Sequence, residues 1–311
     1  MKLVDGVLHS YSGLIPEYNK NITQFRTLAT SLGEEFSLLD YRYFVIQMLY
    51  LVEYADYNSQ HKLGNGLVNG QSAKALIAET GVNRIIVSST NLYVGRIIGI
   101  GTDWASISVA KDRKITKVEN YSDGNVSGKV IYFDGDPVNI AVNNTIWGSG
   151  QESGQCDELG MKSGCLINDS IHSMIYRGIE NIFGNMWQFV DGMNIKDRIM
   201  YLCKDHTKYK SDLFESPYKK LGYTNGDTNG YVKTLGFDPD EPLARFPIEV
   251  GAGSSSGMSD YYWQNPGNRI ALVGGRFNYG AYCGFWYWTL SDGSSFASVN
   301  GGCRVLIDNQ K

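Results

Sequence analysis

Histidine is scarce in this chain: four residues in 311, at His9, His61, His172 and His206. None stands in an HxH, HxxxH or HExxH spacing, so a His-based metal or acid–base centre has no support. GxSxG and P-loop patterns are also missing. The cysteines number five, at 156, 165, 203, 283 and 303. An odd count at irregular spacing fits neither a disulfide framework nor a zinc pattern. They read as reduced thiols, with a Cys156–Cys165 bridge left open. There is no excess of positive charge, since the net charge is −4, and a nucleic-acid partner would call for a basic face. Long apolar runs are absent too. The longest, around Tyr43–Val52, is interrupted by Gln47 and falls short of the roughly 20 residues of a membrane span. No membrane insertion is expected. The N-terminal region lacks the apolar core of an export signal.

What is present is aromatic. From Arg276 to Val299, eight of 24 residues are Phe, Tyr or Trp, and only Arg276 and Asp292 are charged. Aliphatic side chains are few there, which sets the stretch apart from an ordinary core strand.

The first thirty residues are polar and weakly patterned and read as a linker or docking segment. From Ser37 a helix is expected. Leu38, Tyr41, Val45, Leu49 and Val52 mark its apolar stripe, widened by further apolar residues until most sides are covered. "SAKALIAE" (Ser72–Glu79) reads as a second helix. From Val82 the runs "RIIVSS", "LYVGRIIGIG", "ASISVA", "KITKV" and "KVIYF" are β-branched and punctuated by turn residues, which signals strands. Beyond Asn139 the sequence is dense in Gly, Asn and Ser and reads as long structured loops. "NGDTNG" (Asn225–Gly230) resembles half a calcium loop, but Gly236 stands where the closing Glu belongs, so a tight turn is the better reading. "FDPDEP" (Phe237–Pro242) reads as a solvated acidic loop. Trp187 and Phe189 alternate with Gln188 and Val190 between two turns, as a strand with buried aromatic anchors does.

"GNMWQFVDG" (Gly184–Gly192), "LVGGRF" (Leu272–Phe277) and "GCR" (Gly302–Arg304) resemble strand motifs of the formylglycine-generating-enzyme branch of the C-type lectin fold. Within that branch the last motif is most similar to variable proteins of diversity-generating retroelements. The resemblance implies an α+β C-type lectin fold of that subtype: helices, a small antiparallel sheet and long structured loops. It implies a ligand-binding domain over 31–311, with a variable region at about 274–304. Gly274, Gly275, Phe277, Gly280, Gly284, Leu290, Ser294, Gly301 and Arg304 fall on framework positions, with Phe277 and Arg276 departing from the usual Trp and Ser. Tyr279, Tyr282, Tyr287, Thr289, Ser291, Asp292, Phe296, Ser298 and Asn300 fall where such templates carry mutable Asn codons. With Arg276, Asn278, Phe285, Trp286 and Trp288 they make up the expected binding surface, most of its rings exposed.

In that reading the protein displays a diversified surface to a protein or glycan on a host cell and is not an enzyme. No cofactor is implied. Its place is a phage tail, assembled in the host cytoplasm, or alternatively a bacterial cell surface. Other tail proteins and further copies of the chain are admitted as partners. The rival readings are a formylglycine-generating oxidoreductase and a structural tail-fibre module. The first would need a thiol where Tyr279 stands.

Overall fold

The computed structural model describes residues 1–221, 228–255, 257, 258 and 260–308. The chain divides into two units, Met1–Val68 with Ser153–Lys311, and Asn69–Glu152. The expected turn or calcium loop at Asn225–Gly230 falls largely outside the described residues.

The first unit is built on a mixed sheet. In spatial order its strands are Lys219–Lys220, Ile199–Leu202, Trp187–Lys196, Asn268–Val273, Trp288–Leu290, Tyr261–Gln264, Gly230–Asp238 and Glu241–Val250. Gly301–Gly302 adds a parallel pairing to Trp187–Lys196. Parallel pairing also joins Tyr261–Gln264 to Trp288–Leu290. Three α-helices accompany the sheet: α1 (Ile22–Thr30), α2 (Tyr43–Tyr54) and α3 (Ser59–Leu63).

The content is 38% strand and 12% helix. This overturns the expected α+β C-type lectin architecture of helices with a small sheet. The chain is β-rich, and the regions read as long loops contribute strands at Met174–Tyr176, Gly230–Asp238 and Glu241–Val250. Met174–Tyr176 is too short to carry periodicity, and the two longer strands hold Gly, Pro and charged residues that composition alone reads as loop.

The first thirty residues are not a detached linker. They form a hairpin, Lys2–Val4 with Val7–His9, followed by α1. Asn21 caps α1 in a complete capping box with Gln24. Ile22, Phe25 and Ala29 are buried in the main core. The polar residues between these positions hide a three-point apolar face, which is enough for a helix that packs along one side only.

Helix α2 starts later than expected, at Tyr43, because Phe36–Leu38 pairs as a strand with Val305–Ile307. Its buried face is Tyr43, Phe44, Gln47 and Tyr50. The anticipated stripe of Val45, Leu49 and Val52 faces outward instead, with Val52 81% exposed. With apolar residues on nearly every side, periodicity could not choose the face, and the large aromatic side chains took the core.

The second unit contains a six-stranded sheet. Ser72–Lys74, Thr145–Gly148, Ile97–Gly101, Ala110–Ser122, Ser127–Phe133 and Arg84–Val87 lie in that order. Its core is aliphatic, around Ile85, Ile98, Ile100, Ile131 and Ile146. Four of the expected strands are found, but "ASISVA" (Ala105–Ala110) is irregular until Ala110 opens the next strand, and the expected helix at Ser72–Glu79 is a strand followed by a turn into a second strand, Glu79–Val82. Pairing of Ser72–Lys74 with Thr145–Gly148 overrides the helical preference of its alanines.

Candidate ligand-binding face

The aromatic stretch divides into a buried and an accessible part. Phe285, Trp286, Tyr287 and Trp288 are each 0% exposed, and Thr289 and Asn300 are also buried. This corrects the expectation that the rings of Trp286, Tyr287 and Trp288 face solvent. Trp288 begins a strand flanked on both sides, by Asn268–Val273 and Tyr261–Gln264. Its ring packs on Phe246 at 4.8 Å, Phe44 at 5.5 Å and Tyr43 at 5.6 Å. Trp286 packs on Tyr57 and Tyr50, and Phe285 on Tyr50, Tyr176 and Phe183. The core is therefore aromatic where most cores are aliphatic.

Arg276, Asn278, Tyr279, Tyr282, Ser291, Asp292, Phe296 and Ser298 keep partial exposure. Tyr282, beside Tyr279, meets Tyr231 and Tyr261, and Tyr261 in turn meets Trp263; sequence reasoning missed these three residues, all partly exposed. Tyr282 lies 4.8 Å from Tyr261 and 5.3 Å from Tyr231, and Tyr261 lies 5.0 Å from Trp263. The alternation Tyr261, Tyr262, Trp263 was the available signal. A strand with Tyr262 inward necessarily turns its neighbours to the other face, and only Tyr262 of the three is buried.

Beneath this layer lie Trp187 and Tyr287. Trp187 is 5% exposed, as expected of an anchor, and contacts Tyr287 at 4.7 Å and Tyr279 at 5.8 Å. Trp263 Nε1 donates to the Tyr287 hydroxyl at 2.8 Å. Burial pushes the Tyr287 hydroxyl pKa up. The Arg276 guanidinium sits 4.5 Å from the Tyr279 ring centre, a cation–π geometry. Burial raises Asp292, and Arg269 and Arg276 partly offset it. Phe296 leans on Phe189, and Ser294 donates to Asp212 at 2.6 Å.

The backbone under these side chains is held tightly. Gln60 Nε2 donates to the carbonyls of Gly280 and Cys283, at 3.1 and 2.7 Å. Gln47 Nε2 donates to the Phe285 carbonyl at 2.6 Å. Gly275 has φ +80, and a Cβ there would lie 2.4 Å from Cys283 Sγ, so the turn demands glycine. Cys283 is buried, which raises its thiol pKa, and its Sγ contacts the Arg276 carbonyl at 3.3 Å. A thiol in that state is a poor nucleophile. All five cysteines are free. Among the described residues no group of three or more His, Cys, Asp and Glu is placed to hold a metal ion.

Among the described residues Asp260 is the buried acid packed against the stretch from within. Its Oδ2 accepts from the Trp286 amide at 2.6 Å, while Oδ1 has no hydrogen-bond partner among the described residues. Tyr43 OH and Gln47 Oε1, also in this core, have none either. Burial pushes the Asp260 carboxyl up to about 8, with the Trp286 amide pulling the other way. The folded protein thus holds a proton that the unfolded chain releases in the ordinary carboxylate range. This contribution to stability is complete below about pH 4 and declines as pH rises toward 8. The slope is about 1.4 kcal/mol per pH unit from this group. Denaturant midpoints from pH 5 to 8 should fall in the parent and fall less steeply in Asp260→Asn. Equal slopes in the two proteins would show that Asp260 is ionised in the fold.

No protein-family model matches this chain, and no curated protein matches it.

Proposed function

We propose that the protein is a ligand-binding display protein. Its contact surface is the half-exposed aromatic layer of Tyr231, Tyr261, Trp263, Tyr279 and Tyr282, with Arg276 and Asn278. The observation that carries this reading is the placement of tyrosines, an indole and a guanidinium together at partial exposure over a rigid, fully packed base. Tyr and Trp offer large contact area at low entropic cost, and Arg joins them as the residues most enriched at binding hot spots. The target class is a protein or glycan on a host or other cell surface. The setting is a phage tail, with assembly in the host cytoplasm. In keeping with the resemblance to retroelement variable proteins, Ser291, Asp292, Phe296 and Ser298 supply the rest of a diversified set. The reaction-class alternative has less support, because Cys283 is enclosed and its thiol is held protonated.

The test is Tyr261→Ser, Tyr279→Ser and Tyr282→Ser combined. Partial burial gives each ring a stake in stability of about 1 kcal/mol, so the triple variant should stay folded. Its adsorption to host cells should drop by at least tenfold. Unchanged adsorption by a folded variant puts the contact surface elsewhere. Outright unfolding makes these rings part of the core.

A further inference from the structure

A concavity lies in the first unit, and of the residues described at the aromatic face only Trp187, beneath its rings, also lines it. It is a cleft of about 830 Å³ lined by the N-terminal hairpin, the Ser10–Pro16 segment, the Ile179–Gln188 region and the strand Val305–Ile307. That volume is in the range of sites for small organic ligands, roughly 300–1,000 Å³. Its walls are largely apolar, with Leu8, Leu14, Ile179, Ile182, Met186 and Leu306 among them.

The cleft also meets a partly buried cation, besides Lys2, which pairs with Glu17. Arg304 lines it while keeping partial accessible surface, although its neighbours Cys303, Gln188 and Asn181 are all buried. Its hydrogen bonds go to neutral acceptors only: Nε to Gln188 Oε1, and Nη2 to the carbonyls of Glu180 and Asn181. Among the described residues no carboxylate forms an ion pair with it. The two acids on the cleft wall are engaged elsewhere. Glu180 accepts from the Gly154 and Gln155 amides at 2.6 and 3.0 Å, and Asp157 accepts from Ser12 Oγ at 2.6 Å. Burial lowers the Arg304 pKa to about 10, with Glu180 offsetting the effect in part. A guanidinium has five N–H donors in a fixed fork, and Nη1 of this one makes no hydrogen bond among the described residues. A partly buried cation without an ion-pair partner favours an anion brought to it.

We infer that this cleft binds a small amphiphile with one anionic head group, of the fatty-acid class. The chain of the ligand lies along the leucine and isoleucine walls, and its carboxylate faces Arg304. Apolar area supplies most of the binding energy, and the head group fixes the orientation.

The experiment uses the intact protein and three probes that share one tail: dodecanoate, dodecanol and dodecyltrimethylammonium, each below its micellar concentration. Binding is followed by isothermal titration and by the shift in melting temperature. Dodecanoate should bind at least tenfold more tightly than dodecanol and raise the melting temperature, and the cationic probe should bind weakest. Leu14→Trp, which places an indole in the cleft mouth, should weaken dodecanoate by at least tenfold. Three probes that bind alike would reduce the cleft to a greasy surface without charge recognition. Absent dodecanoate binding, or a Leu14→Trp protein that binds it normally, overturns the assignment. The head-group comparison needs no substitution, so it stands even if Leu14→Trp folds poorly. Host-cell adsorption should be untouched by Leu14→Trp, which keeps this site separable from the aromatic face.

Discussion

Trp288→Ala should lower the stability of the protein by about 3–5 kcal/mol, the range for deleting a fully buried large aromatic side chain. The indole is completely enclosed and touches three rings from two elements: Tyr43 and Phe44 of α2 and Phe246 of the Glu241–Val250 strand. Its removal leaves a void that backbone pinned on both strand edges cannot close. Chemical denaturation followed by near-ultraviolet circular dichroism measures the loss. The comparison is with Tyr282→Ser, a few residues earlier in the same stretch, whose ring keeps partial exposure. That substitution should cost about 1 kcal/mol. Equal costs for the two would erase the division of the stretch into core and surface.

Asp191→Ala should cost about 3 kcal/mol, for a different reason. Asp191 is buried within the Trp187–Lys196 strand and receives both Nε and Nη2 of Arg26, at 2.7 and 2.8 Å. Its Oδ1 also accepts the Gly192 amide at 2.9 Å. Beside it, Asp40 is equally buried and is held by Arg42 and by the Tyr209 hydroxyl at 2.9 Å. Removing one carboxylate strands the Arg26 charge in a mostly buried place, and broken buried pairs cost about 3–5 kcal/mol. The partial exposure of Arg26 puts this case at the low end. Replacing both partners, Arg26→Leu with Asp191→Leu, should recover part of the loss, since no lone charge remains. Urea midpoints of the parent, Asp191→Ala and the double variant measure it. A single-variant cost under 1 kcal/mol would show that the pair is screened as a surface bridge is.

The anchor strand around Trp187 and Phe189 was readable because its aromatics alternate between two turn signals, and both side chains are buried. The strands of the second unit were readable for a similar reason, being β-branched runs broken by Gly and Asn. Architecture was not. Strands of two to four residues, such as Gly301–Gly302 and Trp288–Leu290, gain their stability from partners far away in sequence. No local pattern reports such partners.

The candidate face was half legible. "FWYWTL" (Phe285–Leu290) is an unbroken hydrophobic run, and unbroken runs mark strands covered on both sides. The abundance of aromatic residues drew attention away from that pattern. A second signal lay in the genetic code: the Asn codons AAC and AAT end in a pyrimidine and the Trp codon in guanine, so mutagenised adenines do not convert one into the other. On the proposed reading as a variable protein, Trp286 and Trp288 are therefore expected in the fixed framework. Tyr231, Tyr261 and Trp263 were missed because they precede the stretch by 13 residues or more, and only the sheet brings them beside Tyr279 and Tyr282.

The central claim is that an accessible, diversified set rests on an invariant aromatic base. Deep sequencing of the C-terminal coding segment across a natural population of the source tests it most directly. The account predicts variation concentrated at codons 276, 278, 279, 282, 291, 292, 296 and 298, with codons 285, 286 and 288 unchanged. Variation spread evenly over both groups, or confined to the buried codons, would contradict it.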